Sequence, residues 1–362
     1  MRPQCIFGGV LLLALSLGAP SLAQKGRVEQ VTVHSRALEG NLLGDSPDRA
    51  VSIYLPPGYG NGSHTRYPVL YLLHGLTANN SMWLGRGYVP GLDAPSIADR
   101  LIASGRIQPM ILVMPDAYNK YGGSFYSNSS VSGNWEDFIV HELVGYVDSH
   151  YRTLARADSR AIVGHAMGGY GALVLAMKHP ETYGVVYAMS PYYAGFVQVQ
   201  DSEYLSPAAF DLTLGYLKLG NTNAWLGETT ELAMAAAFSP DPNNPPYYVD
   251  LPYKDDHASI FKPPSRPPRR IQSIWARWLA HTPLGMVHDY GINLLLYRGV
   301  AIDMGLNDDP DVVRGARAYD AALTQAGIPH VFDEYQGNHV NRVTARFTSI
   351  VLPFVSRNLE GE

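Results

Sequence analysis

Cysteine is almost absent from this 362-residue sequence, which contains only Cys5. Residues 1–23 have the parts of a secretory signal: a positive charge at Arg2, an apolar run over 10–17 and a small residue, Ala23, at the end. Cleavage there would leave a mature chain without cysteine, which excludes disulfides, a thiolate nucleophile and zinc–sulfur sites. The sequence therefore predicts an exported protein, secreted or periplasmic, with its folded domain over 24–362.

The sequence also lacks an excess of basic charge and any long apolar run. The net charge is −5 at pH 7 and no basic stripe is present, which excludes nucleic acid as a partner. The apolar run over 10–17 is too short to cross a bilayer, so no membrane span is predicted. Asp255-Asp256-His257 has no second cluster of matching spacing, so no metal site is predicted. Nothing in the sequence indicates the oligomeric state.

A third absence concerns a serine. Residues 160–171 predict a short apolar strand, a turn bearing Gly164 and Gly168, and a helix. This is the layout of the nucleophile elbow, G-x-S-x-G, in which a strained strand-to-helix turn lifts a serine above the sheet. The central residue here is Ala166, whose methyl group cannot attack a carbonyl. The stretch indicates a hydrolase that lacks its nucleophile, although alone it also fits a glycine-rich turn of any α/β protein.

The rest of the chain alternates between strand and helix patterns. Strands are predicted at 28–38, 50–55, 67–73, 109–114, 185–190, 292–296 and 330–335, and helices at 96–104, 135–151, 312–326 and 342–357. This alternation predicts an α/β fold, a mostly parallel and doubly wound sheet. Residues 191–290 break the rhythm, with possible helices near 206–217, 228–237 and 271–281. They predict a long, cap-like insertion before the strand that leads to the candidate acid.

Candidate catalytic residues follow the predicted strands, where ligands bind in such sheets. Their order is nucleophile position, acid and histidine, which is the order of α/β-hydrolases. His339 is the candidate base, and Asp308 is the candidate carboxylate that fixes its tautomer. Backbone amides of Leu76 and Met167 are the candidate oxyanion donors. The neighbouring carboxylates remain alternatives for the acid: Asp303, Asp309 and Asp311.

Aromatic residues gather in loops near the predicted strand ends: Trp83, Tyr118, Tyr121, Phe125, Tyr126, Tyr192 and Tyr193. Such residues suit stacking on an aromatic acid or a sugar ring, so Trp83, Tyr118, Tyr126 and Tyr192 are candidate substrate-binding residues. Packing within the loops is the alternative for each of them. His165 is expected to pack beside the elbow, and His74 to shape the oxyanion loop.

Four segments resemble the putative-esterase family: Ile53–Tyr59, Tyr67–Gly75, Gly164–Leu173 and Gly337–His339. That family includes esterase D (S-formylglutathione hydrolase), feruloyl and acetyl-xylan esterases, enterochelin esterases and the antigen 85 mycolyltransferases. The resemblance covers about residues 48–190 and 292–355. It implies a cofactor-free serine hydrolase of the α/β-hydrolase fold, acting on a small-molecule or carbohydrate ester.

The same resemblance assigns roles to residues. It implies position 166 as nucleophile, Asp308 as acid, His339 as base, and Leu76 and Met167 as oxyanion donors. The secretory signal favours the polysaccharide-ester or feruloyl branch. Ala166 departs from the family pattern, and two explanations follow: a serine esterase whose serine was replaced deliberately, or a natural non-catalytic relative that binds an ester or glycan. An acyltransferase is a third possibility.

Overall fold

The computed structural model describes residues 25–62, 64–192, 194–195, 226–254 and 269–362. An eight-stranded sheet and two short two-stranded sheets run through this part of the chain. The strands are β1 Arg27–His34, β2 Asp48–Leu55, β3 Val69–Leu73, β4 Ile111–Pro115, β5 Asn128–Ser129, β6 Gly133–Asn134, β7 Arg160–His165, β8 Val185–Met189, β9 Tyr253–Lys254, β10 Arg269–Arg270, β11 Gly299–Gly305 and β12 Val331–Tyr335. The eight-stranded sheet has the order β1-β2-β4-β3-β7-β8-β11-β12. Its strands from β4 to β12 in that order are parallel, whereas β1 pairs antiparallel with β2, and β2 antiparallel with β4. The pairs β5-β6 and β9-β10 form the two short sheets.

Helices cover both faces of the sheet, as the doubly wound prediction required. The helices are Ala94–Ala103, then Trp135–Asp137 with Phe138–Leu143 and Val144–His150, then Met167–Lys178, Leu226–Phe238, Gln272–Ala280, Pro283–Tyr290, Pro310–Gln325, and Val343–Arg346 with Phe347–Val351 and Leu352–Asn358. Two of the segments, Phe138–Leu143 and Phe347–Val351, are π-helical. Short 3-10 turns lie at Arg36–Leu38, Asn80–Trp83, Ala157–Ser159 and Gly291–Leu296. Within the described residues, none of these helices combines the length and the apolar character needed to cross a membrane.

Strand β3 shows why the sheet is buried on both faces. All five of its residues are apolar or aromatic and fully buried. Val69, Tyr71 and Leu73 join one core cluster, with the helix Met167–Lys178, whereas Leu70 and Leu72 join the cluster that contains the helix Ala94–Ala103. Alternation along a strand sends successive side chains to opposite faces, so an unbroken apolar run is what two helix layers require.

One predicted strand is wrong. Residues 292–296 lie in a 3-10 helix, and the strand follows at Gly299–Gly305. Ile292 and Leu296 are 69% and 68% exposed, so the apolar run is not buried as a central strand would be. The true strand contains a buried carboxylate, Asp303, which interrupts its apolar pattern and concealed it.

The predicted insertion over 191–290 is described in part. Helices Leu226–Phe238 and Gln272–Ala280 lie where the sequence predicted them, whereas the one predicted near 206–217 lies outside the described residues. The ring of Phe238 packs against the rings of Phe125, Tyr170 and Trp278 at 5.3, 5.7 and 6.1 Å. This packing places the helices Leu226–Phe238 and Gln272–Ala280 beside the helix Met167–Lys178, which begins directly after Ala166. The predicted signal over 1–23, Asp255-Asp256-His257 and Tyr193 also lie outside the described residues.

Candidate active site

Residue 166 lies at a strained turn between β7 and the helix Met167–Lys178. Ala166 has φ 56° and ψ −118°, a conformation that alanine rarely adopts. A Cβ at Gly164 would lie 2.0 Å from the carbonyl oxygen of Gly168, and one at Gly168 would lie 2.2 Å from that of Leu73. Only glycine fits at these two positions, which explains the G-x-A-x-G pattern physically.

The tightness of this turn can be measured by adding one methyl group. We expect Gly168→Ala to destabilise the protein by about 3 kcal/mol, because the methyl group overlaps backbone that cannot move aside. Urea unfolding would measure the change. Gly145→Ala is the matched control, since a Cβ there meets nothing within 4 Å and a helical Gly→Ala change stabilises by about 0.5–1 kcal/mol. Equal effects of the two substitutions would contradict the steric explanation.

An acid–base pair faces the elbow. The Nδ1 of His339 lies 3.0 and 2.9 Å from the two carboxylate oxygens of Asp308. The Asp308 side chain is 2% exposed, and its Oδ1 also accepts the Asp309 N–H at 2.7 Å. A carboxylate only accepts hydrogen bonds, so Nδ1 carries the proton and Nε2 is left with its lone pair. An imidazole in that tautomer is equipped to accept a proton at Nε2.

The alternative carboxylates have other partners. Asp303 lies inside β11, where it bonds Arg346 at 2.6 Å and the Tyr187 hydroxyl at 2.9 Å, and burial raises its pKa to about 6. Asp309 accepts the Asp311 N–H at 2.8 Å and caps the following helix. Asp308 is the carboxylate that contacts the imidazole of His339.

His74 holds the peptide that carries the Leu76 amide. Its Nε2 accepts the Ala117 N–H at 2.8 Å, so its Nδ1 carries the proton and donates to the carbonyl oxygen of Gly75 at 2.8 Å. Burial lowers the pKa of His74, which keeps the ring neutral in this tautomer. The Gly75 carbonyl and the Leu76 N–H belong to one planar peptide, so the hydrogen bond that holds the carbonyl also sets the direction of the N–H. In the described part of the chain, the N–H groups of Leu76 and Met167 donate to no other protein atom.

His165 forms a second buried link, between Tyr88 and the loop of His339. Its Nε2 donates to the carbonyl oxygen of His339 at 2.8 Å, and its Nδ1 accepts the Tyr88 hydroxyl at 2.9 Å. The carbonyl cannot donate, so the direction of both hydrogen bonds is fixed. Burial, with a smaller effect from His339, lowers the pKa of His165 to about 3, so the ring stays neutral near pH 7.

This buried imidazole predicts a loss of stability in acid. The pKa of His165 falls from 6.5 to about 3 on folding, so the folded protein binds the proton more weakly than the unfolded chain. The stabilising contribution is fully present above pH ~6.5, and is lost as pH falls toward 3, with about 2 kcal/mol lost by pH 5. The advantage of the parent over His165→Gln in urea unfolding should therefore shrink by about 2 kcal/mol between pH 7 and pH 5.

An exposed histidine supplies the control for that comparison. His64 is exposed, and the stability of His64→Gln should stay within about 0.5 kcal/mol of the parent, because substitutions at exposed positions rarely change stability more. A parent advantage over His165→Gln that stays constant between the two pH values would show that His165 is not a buried neutral ring.

A cavity of about 530 Å³ opens above the elbow. Among the residues predicted as catalytic, oxyanion-binding or substrate-binding, it is lined by Leu76, Ala166, Met167, Tyr192 and His339. Tyr192 also donates its N–H to the Ala166 carbonyl at 3.1 Å, and its ring lies edge-on to His339 at 5.9 Å. The volume is that of a small-ligand site.

Three aromatic residues predicted to bind substrate do not line this cavity. Trp83 is fully buried, with its ring 5.2 Å from that of Phe347 in the core, so that prediction is wrong. Tyr126 is also fully buried, and its hydroxyl donates to the His74 carbonyl at 2.8 Å, so it supports the oxyanion loop. Tyr118 is half-buried outside the cavity wall, and its carbonyl accepts from Arg49 at 2.6 Å. Loop packing, the alternative stated for each residue, describes these three.

The sequence did not single out several residues that do line the cavity, including Tyr88 and Arg86. Both lie in a loop without periodicity, and only the neighbouring Gly85 and Gly87 hinted at a special turn. Among the described residues, no group of three or more His, Cys, Asp or Glu side chains could hold a metal ion.

Comparisons with known proteins identify relatives of this chain. Over 169 residues, 44% of this chain and 21% of the relative, the sequence is 34% identical to an endo-1,4-beta-xylanase/feruloyl esterase of Xylanibacter ruminicola. Over 296 residues, 81% of this chain and 52% of the relative, it is 28% identical to an esterase of Mycobacterium tuberculosis. The chain thus spans about half the length of one curated relative and less of the other.

A solved structure extends the comparison to the fold. A ferulic acid esterase superposes with a TM-score of 0.60 and 23% identity, over 93% of this chain and all of that one. The sheet order, the elbow and the helices on both faces are those of an α/β-hydrolase. The family model described as "Putative esterase" matches residues 46–347. The chain therefore belongs to the putative esterase family.

Proposed function

We propose that this protein is a serine carboxylesterase of the feruloyl esterase and esterase D type whose nucleophile position holds Ala166. The observation that carries the proposal is the placement of Ala166 and His339 in the wall of one cavity, with His339 bonded through Nδ1 to the buried Asp308. A serine hydroxyl at position 166 would have a base beside it and amide donors nearby. The ester would be cleaved through an acyl-enzyme, with Asp308 stabilising the imidazolium.

The two amides complete the proposed reaction. Met167 is the first residue of its helix, where the N–H is free of the helical ladder and the helix dipole favours negative charge. The Leu76 amide is aimed by His74. As the carbonyl carbon becomes tetrahedral, its oxygen gains charge, and each preorganised donor contributes about 2.7–4 kcal/mol to the transition state.

The substrate class and the location are part of the proposal. The curated relative from Xylanibacter is named a feruloyl esterase, and the predicted signal over 1–23 would export this chain to where polysaccharide esters occur. The cavity wall contains the rings of Phe125, Tyr88 and Tyr192, which suit an aromatic acyl group or a sugar. The test is to assay the Ala166→Ser chain against the parent with para-nitrophenyl acetate and methyl ferulate.

Ala166 itself favours a second candidate, a natural non-catalytic protein that binds an ester or glycan in the same cavity. Calorimetry of the unaltered chain with feruloylated or acetylated oligosaccharides distinguishes it. Tight binding together with no turnover after Ala166→Ser supports the binding protein. Turnover that transfers the acyl group to an added sugar would instead identify an acyltransferase of the same family.

A further inference from the structure

Arg86 is a cation in the cavity wall without an acidic partner in the described part of the chain. Among the described residues that line the cavity it is the only Lys or Arg, and these residues include no Asp or Glu. Arg86 forms no ion pair with any residue that the structure describes. On a protein whose net charge is −5, the described residues of the cavity rim therefore carry one positive charge and no negative charge.

The turn that carries Arg86 is fixed on both sides. Gly85 has φ +78°, a conformation that favours glycine, and a Cβ on Gly87 would lie 2.8 Å from the Cα of Met82. The Arg86 N–H donates to the carbonyl oxygen of Ser81 at 3.1 Å. The backbone beneath the guanidinium is therefore anchored to the cavity wall, although the side chain itself is exposed.

A neutral donor accompanies Arg86 at the rim. The Oδ1 of Asn79 accepts the N–H and the hydroxyl of Ser81 at 2.9 and 2.6 Å, which fixes its amide so that the NH₂ group points away from them. That NH₂ group has no acceptor among the described residues, and Asn79 also lines the cavity. A guanidinium and an amide NH₂ offer only donors, and a carboxylate offers only acceptors.

We propose that Arg86 and Asn79 form a carboxylate-binding subsite at the rim of the cavity. It rests on the proposed function, because the ligand is an ester held in the same cavity. The preferred ester then carries a carboxylate remote from the scissile bond. Its apolar body lies against Met82, Phe125 and Met167. A neutral ester of the same shape offers these donors only an uncharged carbonyl oxygen, so it binds more weakly.

Matched pairs of ligands test this on the chain as it exists, since Ala166 leaves a bound ester uncleaved. One pair is para-nitrophenyl hydrogen adipate and its neutral methyl ester, with the charge on the acyl side. The other is para-acetoxybenzoate and its methyl ester, with the charge on the alcohol side. Calorimetry should show the anion binding about tenfold more tightly than its neutral partner in at least one pair, and less so at high salt.

Substitution of Arg86 shows whether the preference for the anion depends on this side chain. Arg86→Gln should bring the ratio of anion to neutral affinity close to one, while Arg86→Lys should keep part of the preference. Arg106→Gln is the control, because Arg106 is exposed and does not line the cavity, so it removes the same charge elsewhere. The absence of a preference in both pairs, or a preference that survives Arg86→Gln, would overturn the subsite.

The binding test of the subsite and the turnover test of the proposed esterase can fail independently of each other. Turnover of para-nitrophenyl acetate by the Ala166→Ser chain supports the esterase even where calorimetry shows no preference that depends on Arg86, and only the subsite is then lost. Conversely, a preference that depends on Arg86 supports the subsite even where Ala166→Ser gives no turnover, and the proposed reaction is then lost.

Discussion

Ala166→Ser is expected to raise kcat for ester hydrolysis by about 10⁶-fold over the parent, the amount that removal of a triad nucleophile typically costs. The turn already has the strained backbone that lifts residue 166, with φ 56°, and the change adds one oxygen to a methyl group that lines the cavity. Release of nitrophenolate from para-nitrophenyl acetate and of ferulate from methyl ferulate would measure the gain.

A covalent label gives the same prediction a second readout. An organophosphonate that reacts with activated serines should add its mass to the Ala166→Ser chain at position 166, and should not add it to the parent. The control is the double variant Ala166→Ser with His339→Gln, which has the hydroxyl but lacks the base. Turnover no greater than that of the parent, with no label at position 166, would remove the basis of the proposed reaction.

In the Ala166→Ser background, Asp308→Asn is expected to lower kcat by about 10⁴-fold. The Asp309 N–H donates to Oδ1 at 2.7 Å, so the amide of the variant would keep its oxygen there and turn its NH₂ toward His339. The imidazole would then carry its proton on Nε2 and could not accept one from the nucleophile. The direction of the hydrogen bond, more than its strength, is what the substitution changes.

Asp311→Asn is the matched control for that loss. Asp311 lies in the first turn of the following helix and pairs with Arg314, so the substitution removes a nearby carboxylate without touching the imidazole. Its kcat should stay close to that of the Ala166→Ser background, because Asp311 pairs with Arg314 and does not line the cavity. Equal losses for the two variants would show that Asp308 acts through general charge and not through the tautomer of His339.

The fold could be predicted from the sequence because its signals are local. The five buried residues of β3 and the glycines about Ala166 each satisfy a physical need that few other residues satisfy. The sequence did not predict strand β11, because Asp303 interrupts its apolar pattern. Asp303 pairs with Arg346, a residue far along the chain, and the pattern of one segment cannot show such a partner.

The site was predictable where position along the chain implies position in space. Asp308 and His339 were expected to lie together because both follow strands of one parallel sheet, and the structure places their side chains in contact. Trp83 was misplaced because a loop sequence does not tell which way an aromatic side chain points, and here it points into the core. Arg86 was missed because the role proposed for it depends on which side chains surround it, and no carboxylate lies among the described residues of the cavity wall. Such a neighbourhood is a property of the folded surface.

The positive φ of Ala166 has a consequence for how this position can change over generations. A β-branched residue is strongly disfavoured at such a backbone angle, so threonine is a poor substitute here even though it carries a hydroxyl. Serine fits, and a single nucleotide change converts any alanine codon into a serine codon. Gain and loss of the proposed reaction are thus one mutation apart on an otherwise unchanged fold.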